Sequence, residues 1–182
     1  MASQKPLRDW VYLFIIGTQL FGMLAVDLVA FYPKRLYQSP SSPLHFLVPL
    51  RALYVSSSGD PYFAASVSAA HEPWFQVFLY IEGLVQLPLA AYLVASLAPR
   101  KSTSGPAELA GLAFGCITAM GAAACCFDLW HMGPERVSAQ QKTMLLYGTY
   151  LPFAVIPALM AVDMYLRLLP RVQASDIKAK TQ

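Results

Sequence analysis

Apolar residues run through this chain in four long blocks, at about residues 10–32, 73–98, 107–127 and 144–168, each near the roughly 20 residues that cross a bilayer core. Polar and turn-forming residues are confined to the stretches between them. The pattern predicts an all-α membrane protein, a four-transmembrane-helix bundle forming one domain over residues 1–182, with a polar, mobile tail at 169–182. The first block is too long for a signal-peptide core and lacks a small-residue cleavage site, so it reads as a retained helix. One connection, residues 33–72, is much longer than the others. Its opening, YPKRLYQSPSSP, is broken by Pro33, Pro40 and Pro43, and the rest mixes aromatic and small residues in runs too short to span. A connection of this length inside a compact bundle points to a role of its own, here a lid of short helices over one mouth of the bundle.

Two acids interrupt the apolar blocks. Asp27 lies in the first and Glu82 in the second. An ionised carboxylate at bilayer depth costs roughly 2.5–3.5 kcal/mol even on insertion scales, so such a residue points to a pathway or a ligand unless it is protonated or paired as packing glue. Asp27 precedes Pro33 by six residues, about 9 Å of helix, and Glu82 follows Pro73 by nine, about 14 Å. Both fall in the same half of the membrane, where antiparallel neighbours bring them together. Two carboxyls in contact cannot both ionise cheaply and share a proton, giving a neutral donor beside one negative charge. Such a site suits a cationic amine or a hydroxyl. Gln86 lies one turn after Glu82, and Phe75 and Phe78 precede it on the same helix. Tyr147 and Tyr150 place two phenols at the corresponding end of the fourth block. An apolar cavity with a few convergent polar groups is the usual design of a small-molecule pocket, while each aromatic taken alone fits packing equally. Pro88, Pro152 and Pro157 free the carbonyls four residues back and predict kinks, which open a cavity or simply bend the helix.

Charge placement supplies orientation. Lys5, Arg8, Arg100, Lys101, Arg167, Arg171, Lys178 and Lys180 fall on the side of both termini, eight of the 13 basic residues, so both termini are expected in the cytosol and the lid in the lumen. The net charge of +3 reflects this bias, and no basic patch suggests nucleic acid. Trp10, Trp74 and Trp130 fall near helix ends, as an interfacial belt would. Cys116, Cys125 and Cys126 lie along the third helix without CxxC or Cys/His spacing, so packing rather than a disulfide or metal is expected, and no cofactor is implied. Gly111, Gly115, Ala119 and Ala123 form a small-residue stripe that fits packing within one protomer as well as a dimer seam. Asp163 is spaced to pair with Arg167, Glu108 to meet the start of the third helix, and Asp60 to cap a turn before Pro61. His45, His71 and His131 fall in loops or at the membrane edge, away from the acids. Lys178 and Lys180 match a K-x-K-x-x retrieval pattern for the endoplasmic reticulum, or form a solvated basic tail.

The stretches DLVAFYPKRLY (27–37), GDP (59–61), EPWFQVFLYIEGLVQLP (72–88) and LLYGTYLPFAVIP (145–157) together resemble the sigma-2 receptor branch of the EXPERA-domain family. The resemblance implies a multi-pass endoplasmic-reticulum membrane protein and homodimer. It implies a lumenal-half pocket for sterols and cationic amphiphiles, and a role in sterol homeostasis with a sterol-transport membrane protein as partner. Carried over by position, Asp27 pairs with a ligand amine and Glu82 is its protonated partner. Gln86 and Tyr150 line the pocket, Tyr54 is a lid tyrosine, and Asp60 is architectural, as Pro88 is in the helix-two motif. The expected activity is non-enzymatic binding. The same superfamily holds emopamil-binding sterol isomerases, which resemble the chain at Ile81-Glu82-Gly83 but carry a histidine where Phe78 stands. Isomerisation of a sterol double bond is therefore the second reading and a structural scaffold the third.

Overall fold

The computed structural model describes residues 5–63 and 72–180, which are helical with no strand among them. Four helices are long and apolar enough to cross a membrane: Leu7–Asp27, Pro73–Leu97, Gly105–His131 and Ala139–Ser175, taken here as spans one to four. Each matches an apolar block, with two corrections at the ends. Span one does not continue as regular helix to residue 32: it is α-helical over Leu7–Gly22, widens to a π turn over Met23–Asp27, and gives way to a short 3-10 turn at Val29–Phe31. The helix of span four is longer than its apolar block. It starts at Ala139 behind a capping box formed by Ser138 and Gln141 and runs through Pro157 and Pro170 to Lys180, so the polar stretch after residue 168 is helix. Arg171 fixes the turn after Pro170 by pairing with Glu108 at 2.9 Å, and the residues beyond are mostly good helix formers. The side chains of Lys178 and Lys180 lie outside the described residues, as do 64–71 of the expected lid, His71 included.

Three π turns interrupt the spans, at Met23–Asp27, Glu82–Gln86 and Leu145–Tyr150. Two of them end two residues before a proline. Pro88 and Pro152 supply no N–H and crowd the carbonyls of Leu84 and Gly148, and the helix responds by widening rather than by a simple kink. The i→i+5 bonds that result run from the Leu87 N–H to the Glu82 carbonyl and from the Leu151 N–H to the Leu146 carbonyl.

Spans three and four pack most closely, because span three presents glycine where they cross. A Cβ on Gly115 would stand 2.6 Å from the Pro157 carbonyl oxygen and 3.1 Å from Ala161, and one on Gly111 would meet Met164 at 3.2 Å. The glycine half of the small-residue stripe thus serves packing within the protomer. Its other half, Ala119 and Ala123, lines a shallow apolar groove with Ala154 and Ala158. Ile16, Met23, Leu93, Phe114, Met160 and Met164 form the core between the spans.

At the end carrying the termini, ion pairs close the bundle. Asp9 is fully buried, takes Arg167 at 2.7 Å and accepts from the Thr103 hydroxyl at 2.7 Å. Arg167 also reaches Asp163 one turn back, as its spacing predicts, and Asp163 meets Arg8 at 2.7 Å. A buried carboxylate needs such partners, since burial strips it of water.

At the other end the lid helix, Leu47–Ser58, lies against the turn that carries Asp27. It stops at Gly59, whose φ of 61° is the left-handed cap that glycine accepts without strain.

Candidate functional site

The lid and the inner faces of all four spans enclose a cavity of about 270 Å³. Its wall is mostly apolar and aromatic: Val26, Phe63, Phe75, Phe78, Leu79, Phe153 and the rings of Tyr54 and Tyr150. Phe75 is the pivot of the aromatic roof. Tyr62 stacks on it at 4.8 Å, and Phe63 meets it edge-on at 5.5 Å. Thr18 lines the cavity and is also exposed on the outer face of span one.

Asp27 and Glu82 both face this cavity and hydrogen-bond to each other. Each comes from a π turn, Asp27 as its last residue and Glu82 as its first. A hydrogen bond between two carboxyls requires a proton on one of them, so the pair presents one donor and one negative charge at most. Deeper in the cavity lies a second polar group. Gln86 Oε1 accepts from Gln19 Nε2 at 3.0 Å and from the Thr118 hydroxyl at 3.1 Å, while among the described residues Gln19 Oε1 has no hydrogen-bond partner. The cavity therefore offers a carboxyl pair near the lid, an amide cluster one turn further in, and an apolar body between them.

Asp60 is fully buried and accepts from the phenols of Tyr54 and Tyr150, both at 2.7 Å, and from the Tyr62 N–H at 3.0 Å. It joins the lid helix, the chain after it and span four at one carboxyl. Burial pushes the Asp60 pKa up, and the three hydrogen bonds pull it part of the way back. Burial likewise raises Tyr54 and Tyr62, helped by the neighbouring carboxylates. Tyr62 donates to Asp128 at 2.7 Å and ties the roof to span three.

Of the residues singled out from sequence, Asp27, Glu82, Gln86, Tyr54, Phe78 and Tyr150 all line the cavity. Two points differ from the expectation. Tyr147 is 57% exposed on the outer surface and does not reach the cavity, because the π turn spreads it away from Tyr150. The hydroxyls of Tyr54 and Tyr150 are committed to Asp60, so these residues offer the cavity their rings. Pro88 is exposed and acts through the π turn before it. Gln19, Thr118, Phe63 and Arg51 escaped the sequence reading. Gln19 and Thr118 carried a signal, as polar side chains inside apolar blocks, but an uncharged one that packing explains as readily. Among the described residues no cluster of His, Cys, Asp and Glu has the makings of a metal site.

No curated protein gives a significant match in sequence comparison. The family model for EXPERA, the expanded EBP superfamily, matches residues 46–164. The match begins after Asp27 and takes in the lid helix, Asp60, Glu82, Gln86 and Tyr150. With four membrane-length helices and an acid-bearing cavity beneath a lid, this chain belongs to the EXPERA family.

Proposed function

We propose that this protein is a non-enzymatic intramembrane binding protein for a sterol-like or amine-bearing amphiphile, serving sterol homeostasis in the endoplasmic-reticulum membrane together with partner membrane proteins. The observation that carries the reading is the hydrogen-bonded Asp27–Glu82 pair in an otherwise apolar cavity. Its donor and its negative charge satisfy a hydroxyl or an ammonium, and the aromatic wall takes a rigid apolar body. The exposure of Thr18 supports entry from the lipid side. The bias of basic residues toward one end supports cytosolic termini. The groove lined by Ala119, Ala123, Ala154 and Ala158 supports homodimer formation through spans three and four.

Sterol isomerisation is the enzymatic alternative. Moving a double bond needs a proton donor on one face of the ring and an acceptor for the proton lost. Here the two carboxyls bond to each other, and the residue one turn before Glu82 is Phe78, which holds no proton. That arrangement favours binding.

The test is incubation of the purified protein with a sterol panel, followed by mass spectrometry of retained and released sterols. Unchanged sterol held by wild type and lost in Asp27→Asn is the expected result. A product with a shifted double bond that accumulates beyond one equivalent per protein would overturn the reading in favour of the isomerase. Equal retention by wild type and Asp27→Asn would remove the acid pair from ligand recognition.

A further inference from the structure

Arg51 sits on the inner face of the lid helix, 8% exposed, and among the described residues it makes no hydrogen bond or ion pair; its buried Nε has no partner. The guanidinium lies 6.0 Å from the ring centroid of Phe63, which lines the cavity. Tyr54, three residues on, lines it as well. A guanidinium does not shed its proton in a protein, and a buried charge without compensation is costly. The lid helix packs against the π turn that ends in Asp27, and Asp27 is the carboxylate whose field Arg51 feels.

We propose that Arg51 is a built-in counter-cation of the Asp27–Glu82 pair, and that it turns the cavity toward uncharged, hydroxyl-bearing amphiphiles and against cationic ones. The inference rests on the binding role proposed above and names the ligand class within it. The shared proton leaves the acid pair with one negative charge, and Arg51 supplies one positive charge. A hydroxyl enters a site already in balance, accepting from the protonated carboxyl and donating to the ionised one. An ammonium enters a site whose negative charge is already matched. At an effective dielectric near 20, a fixed unit charge even about 10 Å from the ammonium opposes it by roughly tenfold or more in affinity. Arg51 needs no contact with the ligand for this; it acts through the carboxylates as a specificity-determining residue.

The experiment compares two probes that differ in one group, a 3-hydroxysterol and its 3-amino analogue, by dissociation constants on the purified full-length protein. Wild type is expected to hold the hydroxysterol about tenfold tighter or more. Arg51→Met and Arg51→Gln are expected to tighten the amine about tenfold while the hydroxysterol stays within about threefold, and Arg51→Lys is expected to keep the wild-type ratio. A structural role alone would move both probes together. An amine-to-hydroxyl ratio identical in wild type, Met and Gln proteins would overturn the assignment while leaving the binding role intact. If neither neutral variant folds, wild type decides: a preference for the amine would overturn the proposal. Failure of every protein to bind either probe would bring down the binding role and this inference with it.

Discussion

Asp60→Asn probes the joint between lid and bundle, and its cost follows from the three donors that converge on the carboxyl. One oxygen accepts both phenols, from Tyr54 and Tyr150, and the other accepts the Tyr62 N–H. An amide supplies one acceptor and one donor in place of two acceptors. With its oxygen toward the phenols, its NH₂ opposes the Tyr62 N–H; reversed, the NH₂ faces two hydroxyls that must turn away to accept it. Either orientation sets the amide N–H against a donor and leaves one buried donor unpaired, which costs about 1–3 kcal/mol. A net loss of about 2 kcal/mol corresponds to a melting temperature lower by roughly 4–8 °C in a chain of this size. Thermal unfolding in detergent measures it, and amide exchange over the lid helix shows whether the loss is local. Because burial raises the Asp60 pKa in the fold, the folded state binds its proton more readily than the unfolded chain does. Wild-type stability from this group is therefore greatest below the ordinary value of 3.8 and declines as pH rises through the raised value, so the gap to Asp60→Asn widens toward acid pH. A melting temperature unchanged by Asp60→Asn, with lid exchange also unchanged, would refute the reasoning.

Two further substitutions test the frame around the cavity. Gly115→Ala places a Cβ 2.6 Å from the Pro157 carbonyl oxygen, a backbone atom that cannot swing aside, and is expected to cost about 1–3 kcal/mol in thermal unfolding; an unaltered melt would show that spans three and four are not held at this crossing. Arg167→Met leaves Asp9 buried with Thr103 as its remaining partner and is expected to cost about 3–5 kcal/mol, most of it recovered when Asp9→Asn is added; additive losses in the double variant would argue against the pair.

The four spans were legible because length and hydropathy alone define a membrane helix, and Asp27 and Glu82 because a charge in an apolar block has few bland explanations. The Asp163–Arg167 pair was legible from its spacing within one helix. The ion pair of Asp9 with Arg167 was not, because the contact joins opposite ends of the chain and no spacing within one helix points to it. The Tyr62–Asp128 bond was hidden because its partners lie far apart in the sequence, on the chain after the lid helix and on span three. Arg51 escaped because nothing local to the sequence says that a lid helix buries it. Tyr147 misled for a geometric reason: three residues before Tyr150 is nearly the same face on a regular helix, but not across a π turn.

Those π turns also explain how the site is assembled from ordinary apolar helices. Each wide turn releases a carbonyl from regular pairing and swings the side chains after it to a new face, and all three spans that widen do so beside the cavity. Proline fixes the place in two of them: the carbonyls crowded by Pro88 and Pro152 belong to Leu84 and Gly148, inside the turns that carry Glu82 with Gln86 and Tyr150. No proline follows the first turn within four residues. There the Leu28 N–H closes the wide turn on the Met23 carbonyl, and the Tyr32 hydroxyl donates to the Leu24 carbonyl at 2.9 Å. The remedy differs, but the consequence is shared. Asp27 stands at the end of one widened turn and Glu82 at the start of another, so the two carboxyls meet across the cavity on backbone that has departed from regular α geometry. Substituting the acids alone would therefore empty the site of its charge while leaving its shape in place, which is the separation that Asp27→Asn exploits.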